Sequence, residues 1–464
     1  MIIASFGAFL LGFVVIGVLS ALKNRHNSAD YLLAGQNVKP WLVALSAVAS
    51  GNSGYMFIGM IGYTYSVGLS SVWLMVGWIL GDFLAATFIH KRLRIASEEE
   101  KVLSFAGVLS RWHGADYRVL RVVGGVITLA FLGTYAAAQL SAGSKALHVL
   151  FEWDYSVGAI IGAVMVLIYC FSGGIRASIW TDAAQSFVMI AAMGLLFFAA
   201  VSELGGMPAF TSALSRVSPT YMNLLPSDLA MGLVLGSFLF ILGWMFAGFG
   251  VVGQPHIMVR FMAMDSPKSM NLVRVYYYGW YIAFFALTVC AGLAARLLIP
   301  EVDNFDAELA LPTLARQILP EILVGLILAG LFASTMSTAD SQILSCSAAI
   351  TRDFTGGREI SYTATKSATV LIVALALFIA LFGNESVFNL VLIAWSALAS
   401  AFAPLITVYA LGAKPSERLA LFMVVVGLST MLLWRHLGFS EIMYEVGPGI
   451  VAGLVPYVVS RFVK

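Results

Sequence analysis

Charge is the scarcest property of this sequence. Asp, Glu, Lys and Arg make up 11% of its 464 residues, while 60% are hydrophobic. A soluble domain is about a quarter charged and close to half apolar, so an ordinary water-soluble fold is excluded. Only three cysteines occur, Cys170, Cys290 and Cys346, all inside apolar runs and without metal-ligand spacing. They imply no disulfide and are expected to be packing residues. The chain has no Gly-rich phosphate loop, no cluster of metal ligands and no pattern of a catalytic triad, so pumping driven by ATP and hydrolysis have no support. No cofactor and no nucleic-acid partner are expected, and the protein is not expected to be an enzyme. The first 22 residues lack the basic start and small-residue cleavage site of a signal peptide, so they read as a retained first helix.

What the chain has in plenty is long apolar runs. Thirteen stretches reach about 20 residues, the length that crosses a bilayer as a helix: 2–22, 40–63, 67–90, 119–148, 155–174, 178–203, 228–255, 272–299, 314–350, 362–383, 387–411, 417–434 and 443–461. The expected fold is therefore an all-α polytopic membrane protein, one transmembrane unit over residues 1–464. The ninth run is too long for one straight crossing and is expected to overshoot the bilayer or to be interrupted. Orientation follows from the basic residues. With the N-terminus outside, all but five of the 26 Lys and Arg fall on one side. The five are Lys145, Arg216, Arg296, Arg316 and Arg435, and Arg94, Arg121, Arg176 and Arg260 count with the majority. This puts the C-terminus in the cytoplasm, in a cell inner (plasma) membrane. The opposite loops are mildly acidic, with Glu152, Asp154, Glu301, Asp303, Asp306 and Glu308.

Two runs are broken midway by small residues, at Ala49-Ser50-Gly51-Asn52-Ser53-Gly54 and over 247–255. They begin two blocks of five runs, 40–203 and 228–411. Broken helices at matching positions of two halves point to an inverted repeat with a binding site near the midplane. Unwound carbonyls there can hold a cation.

A second polar feature lies at the end of the ninth run. Ser334, Ser337, Thr338, Ser341 and Ser345 share about one third of a helix circumference, with Asp340 at its edge. Such a stripe faces protein or a cavity rather than lipid, and hydroxyl, carbonyl and carboxylate oxygens suit a hard cation. Asp182 reads either as part of such a site or as a helix-start carboxylate paired with Arg176. Asp82 lies about two turns from Lys91, Arg92 and Arg94, where a structural pairing competes with a role in transport. Tyr55, just after the first break, and Tyr135, flanked by Gly133 and Thr134, can offer ring and hydroxyl to a small solute. Gln139, Trp244, Ala247 and Phe249 complete the candidate solute contacts. His256 is expected to cap a helix end.

An ordered set of short motifs runs through the chain: Asp30-Tyr31-Leu32-Leu33-Ala34-Gly35, Leu45-Ser46-Ala47, Ser53-Gly54, Ser172-Gly173-Gly174, Trp180-Thr181-Asp182, Gly253-Gln254-Pro255-His256 and Met336-Ser337-Thr338-Ala339-Asp340-Ser341-Gln342. Over nearly its whole length the chain resembles the sodium:solute symporter family, and within it the sodium/proline symporters. The resemblance implies a LeuT-like fold of five-plus-five inverted repeats with extra helices at both ends, and sodium as the coupling ion for uptake of a small organic solute such as proline. It implies a sodium site from the carbonyls of Ala49, Asn52 and Ser334 and the hydroxyls of Ser337 and Thr338. Asp182, Asp340 and Ser341 would form a second sodium site. Against the proline-transporting members, Gly51 replaces an Asp, Tyr55 replaces a Trp, and Ala247 takes the place of a Trp, with Trp244 one turn earlier. Asp82 is a further departure and a candidate replacement for the lost carboxylate. A carrier of the same fold driven by protons, or uncoupled, for a sugar or carboxylate remains open. A transporter-like sensor is disfavoured, since the chain stops at Lys464 with no signalling domain attached.

Overall fold

The computed structural model describes residues 1–22, 25–226, 229–300, 305–356, 358, 360–383 and 387–462. Residue 228, where the second block was placed, and Glu301, Asp303 and Lys464 lie outside the described residues. Among the described residues the chain is helical, with one isolated bridge between Val38 and Met264 in place of any sheet. In chain order the helices are α1 (Ile2–Ala21), α2 (Ser28–Leu33), α3 (Pro40–Gly54), α4 (Met60–Val67), α5 (Val72–Phe88), α6 (His90–Glu99), α7 (Phe105–Arg111), α8 (Arg118–Phe151), α9 (Tyr155–Glu203) and α10 (Met207–Leu214). They continue with α11 (Ser237–Phe249), α12 (Pro255–Met262), α13 (Met270–Leu298), α14 (Ala310–Ile318), α15 (Glu321–Ala348), α16 (Tyr362–Phe382), α17 (Val387–Ala410), α18 (Glu417–His436) and α19 (Val446–Phe462).

Ten helical stretches among the described residues are long and apolar enough to cross a membrane. Two of them, Pro40–Phe88 and Tyr155–Glu203, are 49 residues long. A straight helix of that length would run about 74 Å, more than twice the thickness of a hydrocarbon core. Both turn at a glycine with positive φ. Gly174 has φ 57° and ψ −141° and sits 2.4 Å, measured to an added Cβ, from the carbonyl oxygen of Tyr31. Gly68, at φ 77°, faces the carbonyl of Tyr221 in the same way. Only glycine fits such a conformation at such close approach.

The predicted interruptions occur. Inside α3, Ser53 leaves the helix at φ 45° and ψ 177°, and a π-turn follows over Tyr55–Gly59. A non-glycine residue at positive φ stores strain. Here Ser53 Oγ anchors it by accepting from the Tyr55 N–H at 3.1 Å and the Tyr135 hydroxyl at 3.2 Å. Between α11 and α12 the chain tightens into a 3₁₀ turn over Gly250–Gly253, then extends at Gln254 before Pro255 starts a new helix. The ninth run is interrupted at Leu319–Pro320, where α14 ends and α15 begins. Proline cannot continue the preceding helix and is well suited to start the next.

The helix carrying the hydroxyl stripe lies at the centre. Every residue of α15 from Ile327 to Ala348 is buried, and the helix packs on α1, α3, α8, α9 and α16. Large apolar side chains such as Phe198, Phe378 and Phe382 are exposed instead on outer helices, as a lipid-facing surface requires. The stripe's hydroxyls are satisfied locally: Ser334, Ser341 and Ser345 donate to the carbonyls of Leu331, Ser337 and Ser341. That back-bonding lets a polar stripe sit in an apolar interior without orphaned donors.

Four basic residues that counted with the connections, Arg94, Arg121, Arg260 and Arg352, are buried instead. Arg94 donates to the carbonyl of Met264 and pairs with Glu98, and Arg121 pairs with Asp116 at 3.0 Å. Arg260 is fully enclosed. The three cysteines are free, with Cys170 and Cys346 buried.

Helices α5 and α11 touch backbone to backbone through glycine. A Cβ on Gly81 would lie 1.8 Å from the carbonyl oxygen of Met245, and one on Gly248 would lie 1.9 Å from that of Trp78. Close approach of this kind is what holds membrane helices together where no hydrophobic force acts between them. Gly248→Val is expected to force the pair apart at a cost of at least roughly 1–3 kcal/mol, read as a lower thermal midpoint in detergent. Gly279→Ala, with nothing within 4 Å, is the control expected to leave the midpoint unchanged or raised.

Candidate functional site

The break in α3 sits against the stripe of α15. Ser337 Oγ lies 3.2 Å from the carbonyl oxygen of Ala49 and 3.1 Å from that of Ser334. Thr338 Oγ1 lies 3.0 Å from the carbonyl oxygen of Ser50 and 3.0 Å from that of Ser334. Four of the five residues expected at the first cation site therefore converge. Asn52 differs: its carbonyl accepts from the Tyr55 N–H, and its side-chain amide turns back to donate to the Val48 carbonyl at 2.6 Å. The carbonyl of Ser50 stands in its place. Asn52 Oδ1 remains a buried acceptor with no hydrogen-bond partner among the described residues. The converging donor set is all oxygen, three carbonyls and two hydroxyls, which is the chemistry a hard monovalent cation takes in place of its water.

One turn further along α15, Asp340 and Ser341 come together with Asp182 of α9, as expected of a second site. A cation already stands between them. The guanidinium of Arg260, from α12, lies 3.3 Å from Asp182 Oδ2 and 3.6 Å from Asp340 Oδ1, with all three side chains fully buried. It also donates to Ser46 at 3.2 Å, to Ser178 at 2.5 Å and to Ser341. Ser46 donates to Asp182 at 2.6 Å and Ser178 to Asp340 at 2.8 Å. Asp182 is thus paired with Arg260, not with Arg176, which pairs with Asp30. Asp182 Oδ1 and Asp340 Oδ2 each stay without a hydrogen-bond partner among the described residues. With both carboxylates ionised, the one guanidinium would leave one negative charge over, and buried charge needs compensation. A monovalent cation fits that balance. Ser50 ties the two clusters together, approaching Ser341 Oγ at 2.8 Å.

On the other side of the break is a small, nearly filled cavity lined by Gly51, Ser53, Tyr55, Trp78, Tyr135, Tyr281, Phe285 and Trp395 among others. Tyr55 and Tyr135 line it as expected. Gln139 stands behind the wall, where its Oε1 accepts from the Gly54 N–H at 2.7 Å. Trp244 forms a second layer, stacked between Trp78 and Tyr444. Ala247 contributes its carbonyl, which accepts from Trp395 Nε1 at 3.0 Å. Phe249 belongs to the α5–α11 contact and not to the cavity wall. Asp82, one turn beyond Trp78, is bound by the Tyr278 hydroxyl at 3.2 Å and does not line the cavity. His256 does not cap: Gln254 holds the cap position, and the His256 ring lies edge-on to Tyr135.

The residues missed in the sequence are Arg260, Ser46, Ser50 and Ser178 of the charged cluster, and Trp78, Tyr281, Phe285 and Trp395 of the cavity. A signal existed for the first group. Arg260 stands in the apolar run Ile257-Met258-Val259-Arg260-Phe261-Met262, and Ser46 and Ser50 are spaced by one helical turn. The aromatics carried none, since aromatic residues are abundant throughout. Arg260→Gln leaves Asp182 and Asp340 facing each other and is expected to cost roughly 3–5 kcal/mol. Thermal unfolding in detergent would show it, with sodium chloride restoring the midpoint more than potassium chloride does.

The sequence profile of the sodium:solute symporter family matches residues 31–427. The chain is 31% identical to the sodium/proline symporter of Staphylococcus aureus, with 98% of this chain and 91% of the relative covered. It is 29% identical to the sodium/proline symporter of Escherichia coli, covering 98% and 92%. Among solved structures, a Na+-coupled sialic acid symporter in a substrate-bound outward-open state superposes with a TM-score of 0.84 at 17% identity, covering 100% of this chain and 97% of the other. That likeness is one of fold. On the match to the family profile and the identities to its curated members, the chain belongs to the sodium:solute symporter family and is a transporter, not an enzyme.

Proposed function

We propose that the protein is a secondary active symporter that couples inward sodium flow to uptake of a small organic solute, an amino acid such as proline. The observation that carries this reading is the meeting of Ser337 and Thr338 with the carbonyls of Ala49, Ser50 and Ser334 at the break in α3. Sodium bound there bridges two helices, so its arrival and departure change how they pack. The solute cavity opens from the same break, with Gly51 and Ser53 in its wall. One strained turn thus serves both ligands, which is the physical basis for coupling. Asp182, Asp340 and Ser341 form a second cation position, which the guanidinium of Arg260 shares in this structure. Proline as the solute draws support from the names of the curated relatives, and the six rings around the cavity suit a compact solute with an apolar body.

The unit is single, residues 1–464, with inverted repeats at about 40–203 and 228–411. Counting each 49-residue stretch as two crossings and adding the shorter apolar helix α19 brings the ten stretches to thirteen. The charge asymmetry of the connections supports an N-terminus outside and a C-terminus in the cytoplasm of the plasma membrane.

Uptake of labelled proline and of a panel of amino acids into proteoliposomes, with and without an inward sodium gradient, tests the reading. Sodium is expected to be required. Ser337→Ala and Thr338→Ala are each expected to raise the sodium concentration for half-maximal uptake by about tenfold or more, the equivalent of one lost charge-assisted contact. Uptake that persists unchanged without sodium rules the reading out.

A further inference from the structure

The polar track on α15 does not end at Ser341. Ser345, one turn further on, donates to the Ser341 carbonyl at 2.9 Å, and the helix closes in a π-turn over Ala349–Asp353. Asp353 is about 24 Å along the axis from Ser337, most of the way to the membrane surface. Two cavities meet at this point. The inner one is small and is lined by Ser104, Thr128, Ser345 and Asp353, with Pro255 of the second break and Val259 of α12 forming its apolar wall. The outer one is larger, opens to the surface and carries Lys101, Arg111, Arg121 and Arg352 in its lining. Ser104 and Asp353 are the two residues common to both linings. They are joined to each other: Ser104 Oγ donates to Asp353 Oδ1 at 2.5 Å while accepting from the Gly107 N–H as the cap of α7.

We propose that Asp353, Ser345 and Thr128 form a transit site for a monovalent cation, sodium, on the inward path, and that the Ser104–Asp353 hydrogen bond is its latch. The inference rests on the reading of Ser337 and Thr338 as the central sodium site. Two observations beyond the track support it. Thr128 Oγ1 is buried on the cavity wall with no hydrogen-bond partner among the described residues, a hydroxyl oxygen left open to a ligand. Asp353 is the one carboxylate in either lining and is 2% exposed. Of the cations across the latch, Arg121 is committed to Asp116 at 3.0 Å. A sodium ion leaving the central site would pass from the hydroxyls of Ser341 and Ser345 to the Asp353 carboxylate. Beyond it lies a basic vestibule, a barrier to cations in both directions, against which the Asp353 carboxylate is the one fixed negative charge in the lining.

Ser345→Cys reports on the inner cavity in inside-out membrane vesicles. Its rate of modification by a cationic and an anionic methanethiosulfonate reagent is compared with that of the parent chain and its three native cysteines. The cationic reagent is expected to react at least about fivefold faster despite the basic vestibule. Asp353→Asn should remove that preference, and sodium, but not potassium, should slow the reaction. Ser104→Ala should raise the rate with both reagents severalfold. Thr128→Cys is the second reporter should Ser345→Cys fail to fold. A charge preference that survives Asp353→Asn overturns the transit site, and an unchanged rate in Ser104→Ala overturns the latch. Wild-type uptake separates the two levels: uptake independent of sodium removes both the central site and the transit site, whereas sodium-dependent uptake without the reagent preference removes the transit site alone.

Discussion

The contact between the unwound turn of α3 and the hydroxyl stripe of α15 is the constraint on which the remaining structure depends. A membrane interior offers no water to a freed carbonyl, so a helix can break there only where another element supplies partners. The hydroxyls of Ser337 and Thr338 supply them to Ala49 and Ser50. Ser53, held at positive φ by its own hydroxyl, makes the break permanent. For α15 to present hydroxyls on this face it must be enclosed on its others, and the surrounding helices α1, α3, α8, α9 and α16 do that. The burial of a polar helix and the strain of a broken one are two sides of the same arrangement.

The second cluster obeys a harsher rule. Asp182 and Asp340 are fully buried with Arg260 between them. Such a triad is weak as a source of stability, because desolvating three charges consumes most of what their attraction returns. The guanidinium that holds both carboxylates is fixed on α12, and α12 begins directly at the second break, after Gln254. The two breaks are therefore joined through charge as well as through packing. Ser50, reaching Ser341 from the first break, completes that link.

Much of this was legible from residue order. The breaks at 49–54 and 247–255 and the stripe from Ser334 to Ser345 are periodic or compositional signals that the structure carries, and the apolar runs appear as ten long apolar helical stretches among the described residues. The long ninth run was legible as a problem; the Leu319–Pro320 interruption resolved it. The charge count was less faithful. Arg94, Arg121 and Arg260 looked like loop residues because a lone Arg at the edge of an apolar run cannot be told from one just beyond it. Each instead found a carboxylate contributed from elsewhere in the fold or in the local chain. Asp82 drew attention for its rarity, yet it lies away from the cavity, where a tyrosine from α13 binds one of its two oxygens.

What the sequence by itself determined is the class of the molecule and the chemistry available to it: a helical membrane transporter with paired breaks and an oxygen-rich stripe. Those follow from local rules, since hydropathy, helical period and glycine placement act over a few residues at a time. Only the tertiary structure decided which oxygens meet. That Ser50 and not Asn52 turns its carbonyl to Thr338, that Arg260 stands between Asp182 and Asp340, and that Trp78, Tyr281 and Trp395 close the cavity all bring together residues from 78 to 317 positions apart. Such contacts are set by how whole helices pack, a property of shape and volume summed over the bundle, which no short stretch of sequence contains.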